Sequence, residues 1–196
     1  MEQLPHFTVK EWLTRIDGSN GRICIKILSD NRRLFEKVQG SSYNHQAWKG
    51  GYLDHITETM NWAVVLYEAL NSRRTLPFSL SDVLLVLFLH DIEKPWKYEL
   101  TPGGQLKLKE SLRSKEAQRE FRDAKLRDYG IVLSTEQENA MKYTEGEHED
   151  YTNLRRKMNE LAGFCHMCDI LSARVFHNYP RKTIENWSNT RRAAEK

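Results

Sequence analysis

Val83-Leu84-Leu85-Val86-Leu87-Phe88-Leu89-His90-Asp91-Ile92-Glu93-Lys94 decides how this chain is read. Seven apolar residues in a row make a helix that is hydrophobic on every side, and such a helix belongs at the centre of a fold. Pro77 and the serines Ser79 and Ser81 supply its start. It ends directly in His90 and Asp91, where an unpaired imidazole and carboxylate are costly to bury. Something must satisfy them, and the search for it leads outward in both directions.

Upstream, turn residues around Tyr43, His45 and Trp48 lead through Gly50-Gly51 into a helix expected from about Tyr52 to Leu70. His55 lies one turn into it and can project into the same interior. Downstream, a last long helix is expected from roughly Asn153 to Asn178, stopping before Pro180. Within it Leu161, Cys165, Ser172, Ala173 and Phe176 recur at helical spacing around Asp169, so that Asp169 faces inward. Between these elements, Trp96–Leu100 and Gln105–Lys109 both alternate across Thr101-Pro102-Gly103-Gly104, which predicts a small β-hairpin. A charged helix is expected from Ser114 to Tyr129, and Ser134 or Thr135 caps another. At the N-terminal side, Thr8 caps a short helix carrying Trp12, Leu13 and Ile16. The run Asp17 to Gly21 breaks it before a second helix with Ile23, Ile27, Leu34 and Val38 on one stripe. The expected class is all-α, a helical bundle with one hairpin inserted after the His-Asp helix.

With 196 residues and 39% hydrophobic content the chain suits one domain, 1–196, with a real core. No apolar run is long enough for a bilayer and no signal peptide is apparent, so a cytoplasmic protein without a membrane partner is expected. Three cysteines, Cys24, Cys165 and Cys168, make no disulfide framework. Cys165-His166-Met167-Cys168 has no second pair to complete a zinc finger. The net charge of +3 is spread through mixed acids and bases. Arg113, Lys115, Arg119, Arg122, Lys125 and Arg127 alternate with carboxylates, which reads as a solvated helix face rather than an RNA track.

His55, His90, Asp91 and Asp169 together are a plausible set for one cation. Two imidazoles and two carboxylates suit a divalent ion such as Mn²⁺, Fe²⁺, Co²⁺, Ni²⁺ or Zn²⁺, with Mg²⁺ also open, and leave positions for water and a phosphate oxygen.

These residues resemble the pattern of the HD-domain phosphohydrolase superfamily: a histidine, a His-Asp pair and a distant aspartate on helices around a metal. The matching stretches are Gly50-Gly51-Tyr52-Leu53-Asp54-His55, Leu87-Phe88-Leu89-His90-Asp91-Ile92-Glu93-Lys94, and Cys168-Asp169-Ile170-Leu171-Ser172-Ala173. The likeness runs from about Asn44 to Phe176, within a motif-bearing core of about 44–178. Its Gly-Gly-x-Leu-x-His opening is shared with HD-type 3′-to-5′ exoribonucleases, and Glu93 departs from the glycine that many members carry.

The resemblance implies hydrolysis of a nucleotide or similar small phosphate compound by a metal-activated water. Asp91 would orient that water and Lys94 would meet the phosphate. Tyr43 and Trp48 are candidates to stack on a base, and His148 to touch substrate or a second metal. His45 is placed at the pocket entrance, and Glu93 is read as a helix-end charge. A 3′-to-5′ exonuclease on single-stranded RNA or DNA, and a non-catalytic HD module that binds a nucleotide for regulation, stay open as alternatives. So does assembly as a homo-oligomer.

Overall fold

The computed structural model describes residues 5–41, 43–100, 106–181 and 185–194. Its helices are α1 (Val9–Leu13), α2 (Gly18–Phe35), α3 (Gly51–Asn71), α4 (Leu80–Leu89), α5 (Lys94–Lys97), α6 (Lys115–Tyr129), α7 (Thr135–Tyr143) and α8 (Glu160–Ile170). One antiparallel pair, β1 (Tyr98–Leu100) and β2 (Leu106–Leu108), is inserted after α5 with Tyr98 opposite Leu108 and Leu100 opposite Leu106. The chain is therefore all-α with a small hairpin. The expected turn, Thr101 to Gly104, lies outside the described residues.

Helix starts follow local chemistry. Thr8, Ser79 and Ser134 each form a capping box, with Glu11, Asp82 and Gln137 as the reciprocal partners. Ser114 accepts from the Ala117 N–H, and Asn159 from the Ala162 N–H. Helix α4 is the axis of the core. Val83 through Leu89 are all buried, and they join one apolar cluster with Leu13, Ile27, Phe35, Tyr52, Ile56, Met60, Ala140, Leu161 and Cys165. Among the described residues no helix is long and apolar enough to cross a membrane.

Two expectations need correction. The second helix begins at Gly18, inside the run expected to break the chain, and stops at Phe35, before Val38. Its buried stripe runs through Cys24, Ile27, Leu28 and Phe35, because the hydrophobic face tracks the helix period more closely than the isoleucines alone suggest. The last helix starts at Glu160 instead of near Asn153. The Glu147 carboxylate accepts from the Lys157 and Met158 N–H groups at 3.2 and 2.8 Å, which holds this stretch out of helix until Asn159 caps it. Leu154, 90% exposed, has no core to join. At its other end α8 widens into a π-helical turn, Leu171–Val175, two residues beyond Asp169.

Candidate metal centre

Three elements converge on one point. Helix α3 contributes His55 from its second turn, α4 ends on His90 as its C-cap, and α8 presents Asp169 in its last turn. The entry into α3 is set by its two glycines. Gly50 adopts φ +81°, and a Cβ on Gly51 would lie 1.8 Å from the Gln46 carbonyl oxygen. This close crossing leaves no room for a side chain at Gly51, and His55, four residues on, is fully buried.

His55, His90 and Asp169 each offer a ligand atom within 4.8 Å of the others, a group that could hold a metal ion. His55 Nε2 lies 3.1 Å from Asp169 Oδ1 and 3.7 Å from Asp91 Oδ2. His90 Nε2 lies 3.2 Å from Asp91 Oδ2 and 3.6 Å from Asp169 Oδ1. Despite these distances neither Nε2 atom makes a hydrogen bond of acceptable geometry, and Asp91 Oδ1 also lacks one. Asp91 falls outside the three-residue group and forms an ion pair with Lys94.

The opposite edges of the two rings are anchored. His90 Nδ1 lies 2.8 Å from the Leu87 carbonyl oxygen, which can only accept, so this nitrogen carries the hydrogen. His55 Nδ1 shares a 3.1 Å hydrogen bond with Ser172 Oγ, supplied by the π-helical turn. Ser172 is in turn held by Gln46 Nε2, which also donates to the Phe176 and Tyr179 carbonyls. The consequence for His90 is direct. With Nδ1 protonated, Nε2 holds either a lone pair or a second proton, and a lone pair facing two carboxylates is repulsive. A cation between the groups, proton or metal, resolves the conflict.

The charges respond accordingly. Burial by itself lowers the pKa of His90, but the Asp91 and Asp169 carboxylates outweigh it and hold the imidazole well above its ordinary value. Burial raises Asp91, yet Lys94 and His90 bring it well below the usual carboxylate range. Asp169 is likewise held low, against burial, by the His55 and His90 rings. Lys94 is shifted upward because Asp91 overcomes its desolvation. Glu93 goes the other way. Burial, with the Asp91 charge behind it, pushes its carboxyl up to about 7, and its Oε2 has no hydrogen-bond partner.

Compared with protein-family models, curated proteins and solved structures, the chain finds no match. Its own geometry carries the reading.

The remaining candidates lie at varying distances from this group. His45 stacks on His55, ring centroids 4.6 Å apart, and burial together with His55 lowers its pKa to about 4. Tyr43 is 83% exposed. Trp48 donates from Nε1 to Asp54 Oδ2 at 2.7 Å, and the Arg192 guanidinium covers its ring at 3.8 Å from the centroid. That face of the ring is taken. His148, in a single 3₁₀ turn, lines a cleft that also includes His90 and Glu93.

The same cleft contains residues that the sequence reading had set aside. Lys115, Arg119 and Arg122 enter its wall from α6, and Lys142 from α7. Their i, i+4, i+7 spacing on α6 was the available signal, obscured by the acids between them. Ser172 and Gln46 were also missed, since nothing local marks either as a support for His55.

Proposed function

We propose that this chain is a metal-dependent phosphohydrolase of the HD type, acting on a nucleotide or similar small phosphorylated molecule. The observation that carries the reading is the pair of buried imidazole Nε2 atoms without hydrogen bonds, converging with Asp169 and Asp91. The quoted resemblance agrees with this arrangement, and a cation-lined cleft opens beside His90.

His55, His90 and Asp169 would hold a divalent ion, with Asp91 at its margin. Two imidazoles favour Mn²⁺, Fe²⁺, Co²⁺, Ni²⁺ or Zn²⁺ over Mg²⁺. When bound, such an ion supplies Lewis acidity and a water of lowered pKa. Asp91, ionised and buried, accepts a hydrogen bond from an attacking water and fixes its direction. Lys94 neutralises charge on a phosphate oxygen, its ammonium kept protonated by Asp91. Leu87 O and Ser172 Oγ keep the two rings from rotating away. The apolar walls from α4 limit the access of bulk water to these charges.

The test joins elemental analysis to a phosphate-release screen over nucleoside monophosphates, nucleoside triphosphates and a short single-stranded oligonucleotide. About one transition-metal ion per chain and turnover of a small compound are expected. Preference for the oligonucleotide with stepwise 3′ shortening would replace this reading with an exonuclease. Metal binding without turnover of any of them would point to a regulatory module.

A further inference from the structure

His45 is held firmly beside the metal group, yet one of its ring nitrogens has nothing to bond. The backbone is pinned first. Ser41 Oγ accepts from the His45 N–H at 2.8 Å and donates to the His45 carbonyl at 3.0 Å. The next residue, Gln46, donates its N–H to the His177 carbonyl at 2.7 Å, and its buried side chain donates to the Phe176 and Tyr179 carbonyls. The His45 ring then lies on the His55 ring, centroids 4.6 Å and planes 25° apart. Nε2 is enclosed and has no hydrogen-bond partner among the described residues. An enclosed imidazole nitrogen destabilises the fold unless something outside the protein meets it.

The surroundings say what that partner is. The charged groups close enough to act on the ring are His55, Lys94, Asp91 and Asp169, all members or neighbours of the metal group. His45 itself adds no atom to the set of His55, His90 and Asp169 that lies within 4.8 Å. Stacked on a ligand ring but outside that set, it is placed to meet what an ion holds and not the ion. Lys94, assigned above to a phosphate oxygen, is among the groups acting on it. Ionised phosphate oxygens only accept, so a contact with them requires the hydrogen on Nε2. Such a bond strengthens as negative charge grows on the oxygen.

We propose that His45 is a further substrate-binding residue of this centre, donating from Nε2 to an oxygen of the phosphate held there. The identity of the bound group rests on the phosphohydrolase reading, while the need for an acceptor at Nε2 rests on the ring itself.

Inorganic phosphate is the probe, titrated by calorimetry into the full chain with its metal content measured. His45→Phe keeps a flat ring against His55 and removes both nitrogens, whereas His45→Gln returns an N–H near the Nε2 position. His45→Phe is expected to keep the parent's metal content and circular dichroism spectrum while weakening phosphate by about tenfold or more. His45→Gln is expected to recover affinity to within about threefold of the parent, which a ring serving only to support His55 would not allow. A second measurement needs no variant fold: in zinc-loaded protein with ¹⁵N-labelled histidine, the His45 Nε2 signal should be that of a protonated nitrogen and should move on adding phosphate. The proposal is overturned by phosphate affinity within about threefold of the parent in folded His45→Phe. It is equally overturned by an Nε2 signal that saturating phosphate leaves in place, or by a metal-loaded parent that binds no phosphate. Phosphate binding that depends on His45, in a protein that hydrolyses nothing, would retain the contact and reject the phosphohydrolase. Turnover unchanged in His45→Phe would do the reverse.

Discussion

Replacing the Asp169 carboxylate with an amide of the same shape removes one charge from the convergence of His55 and His90. Asp169→Asn is expected to leave the circular dichroism spectrum unchanged, weaken metal retention at least tenfold, and abolish most phosphate release. Activity within about twofold of the parent, well under the ~1.4 kcal/mol that corresponds to tenfold, would remove Asp169 from the ligand set. Protons compete with metal at the same atoms. The folded-state pKa of metal-free His90 lies above its ordinary value of 6.5, so its contribution to stability is complete below that value and is lost as pH rises through the folded pKa. Metal binding must displace that proton and so strengthens with pH over this range. The thermal shift on adding a divalent transition ion to stripped protein should be larger at about pH 8 than at about pH 6. An equal shift at both would show that no proton is exchanged. Glu93 has the opposite linkage. As an acid raised from 4.5 to about 7, it binds its proton more tightly in the folded state. Its stabilising contribution therefore falls as pH rises from the unfolded value to the folded one. Glu93→Gln is expected to flatten the stability profile between about pH 5 and pH 8 and to stabilise the protein at the upper end by roughly 1–3 kcal/mol, as measured by urea unfolding.

Helices α1, α4, α6 and α7 begin where short-range chemistry places them, and this explains what the sequence made legible. Thr8, Ser79, Ser114 and Ser134 each bond an N–H three residues away, and a reader needs nothing beyond the local string to find them. His55, His90 and Asp169 were legible for a related reason: polar groups embedded in apolar helical context demand a partner. The start of α8 was not legible, because the group that holds the preceding stretch is Glu147, 11 residues before Met158. The positive cleft escaped for the same physical reason. Whether an arginine on α6 faces solvent or His90 is decided by packing between elements, and its neighbours in sequence are silent on that. At this scale the entry to α3 gives the clearest test. Gly51→Ala forces a methyl group into the Gln46 carbonyl, so a loss of at least ~3 kcal/mol is expected, along with failure to retain metal as His55 shifts. A neutral result in chemical unfolding would mean that the crossing is looser than described.

Across the whole molecule, the segment 185–194 returns to the start of α3. The Ala193 N–H donates to Asp54 Oδ1 at 2.7 Å, a bond spanning 139 residues, and Arg192 lies over Trp48 while bonding the Pro180 carbonyl. His6 donates its N–H to the Ser188 carbonyl at 2.9 Å, and Trp187 packs edge-on to Trp62. The residue next to His55 is thus braced by a residue 139 positions further along the chain. A ribosome reads the molecule in one direction only. His55 and His90 emerge long before Asp169, and the brace on Asp54 comes later still, so the nascent chain passes through a stage with two imidazoles and no finished cage. On the proposed reading, the three groups that would hold a metal come together only after Asp169 has been made, so the ion would be captured by a chain already folded around His55 and His90.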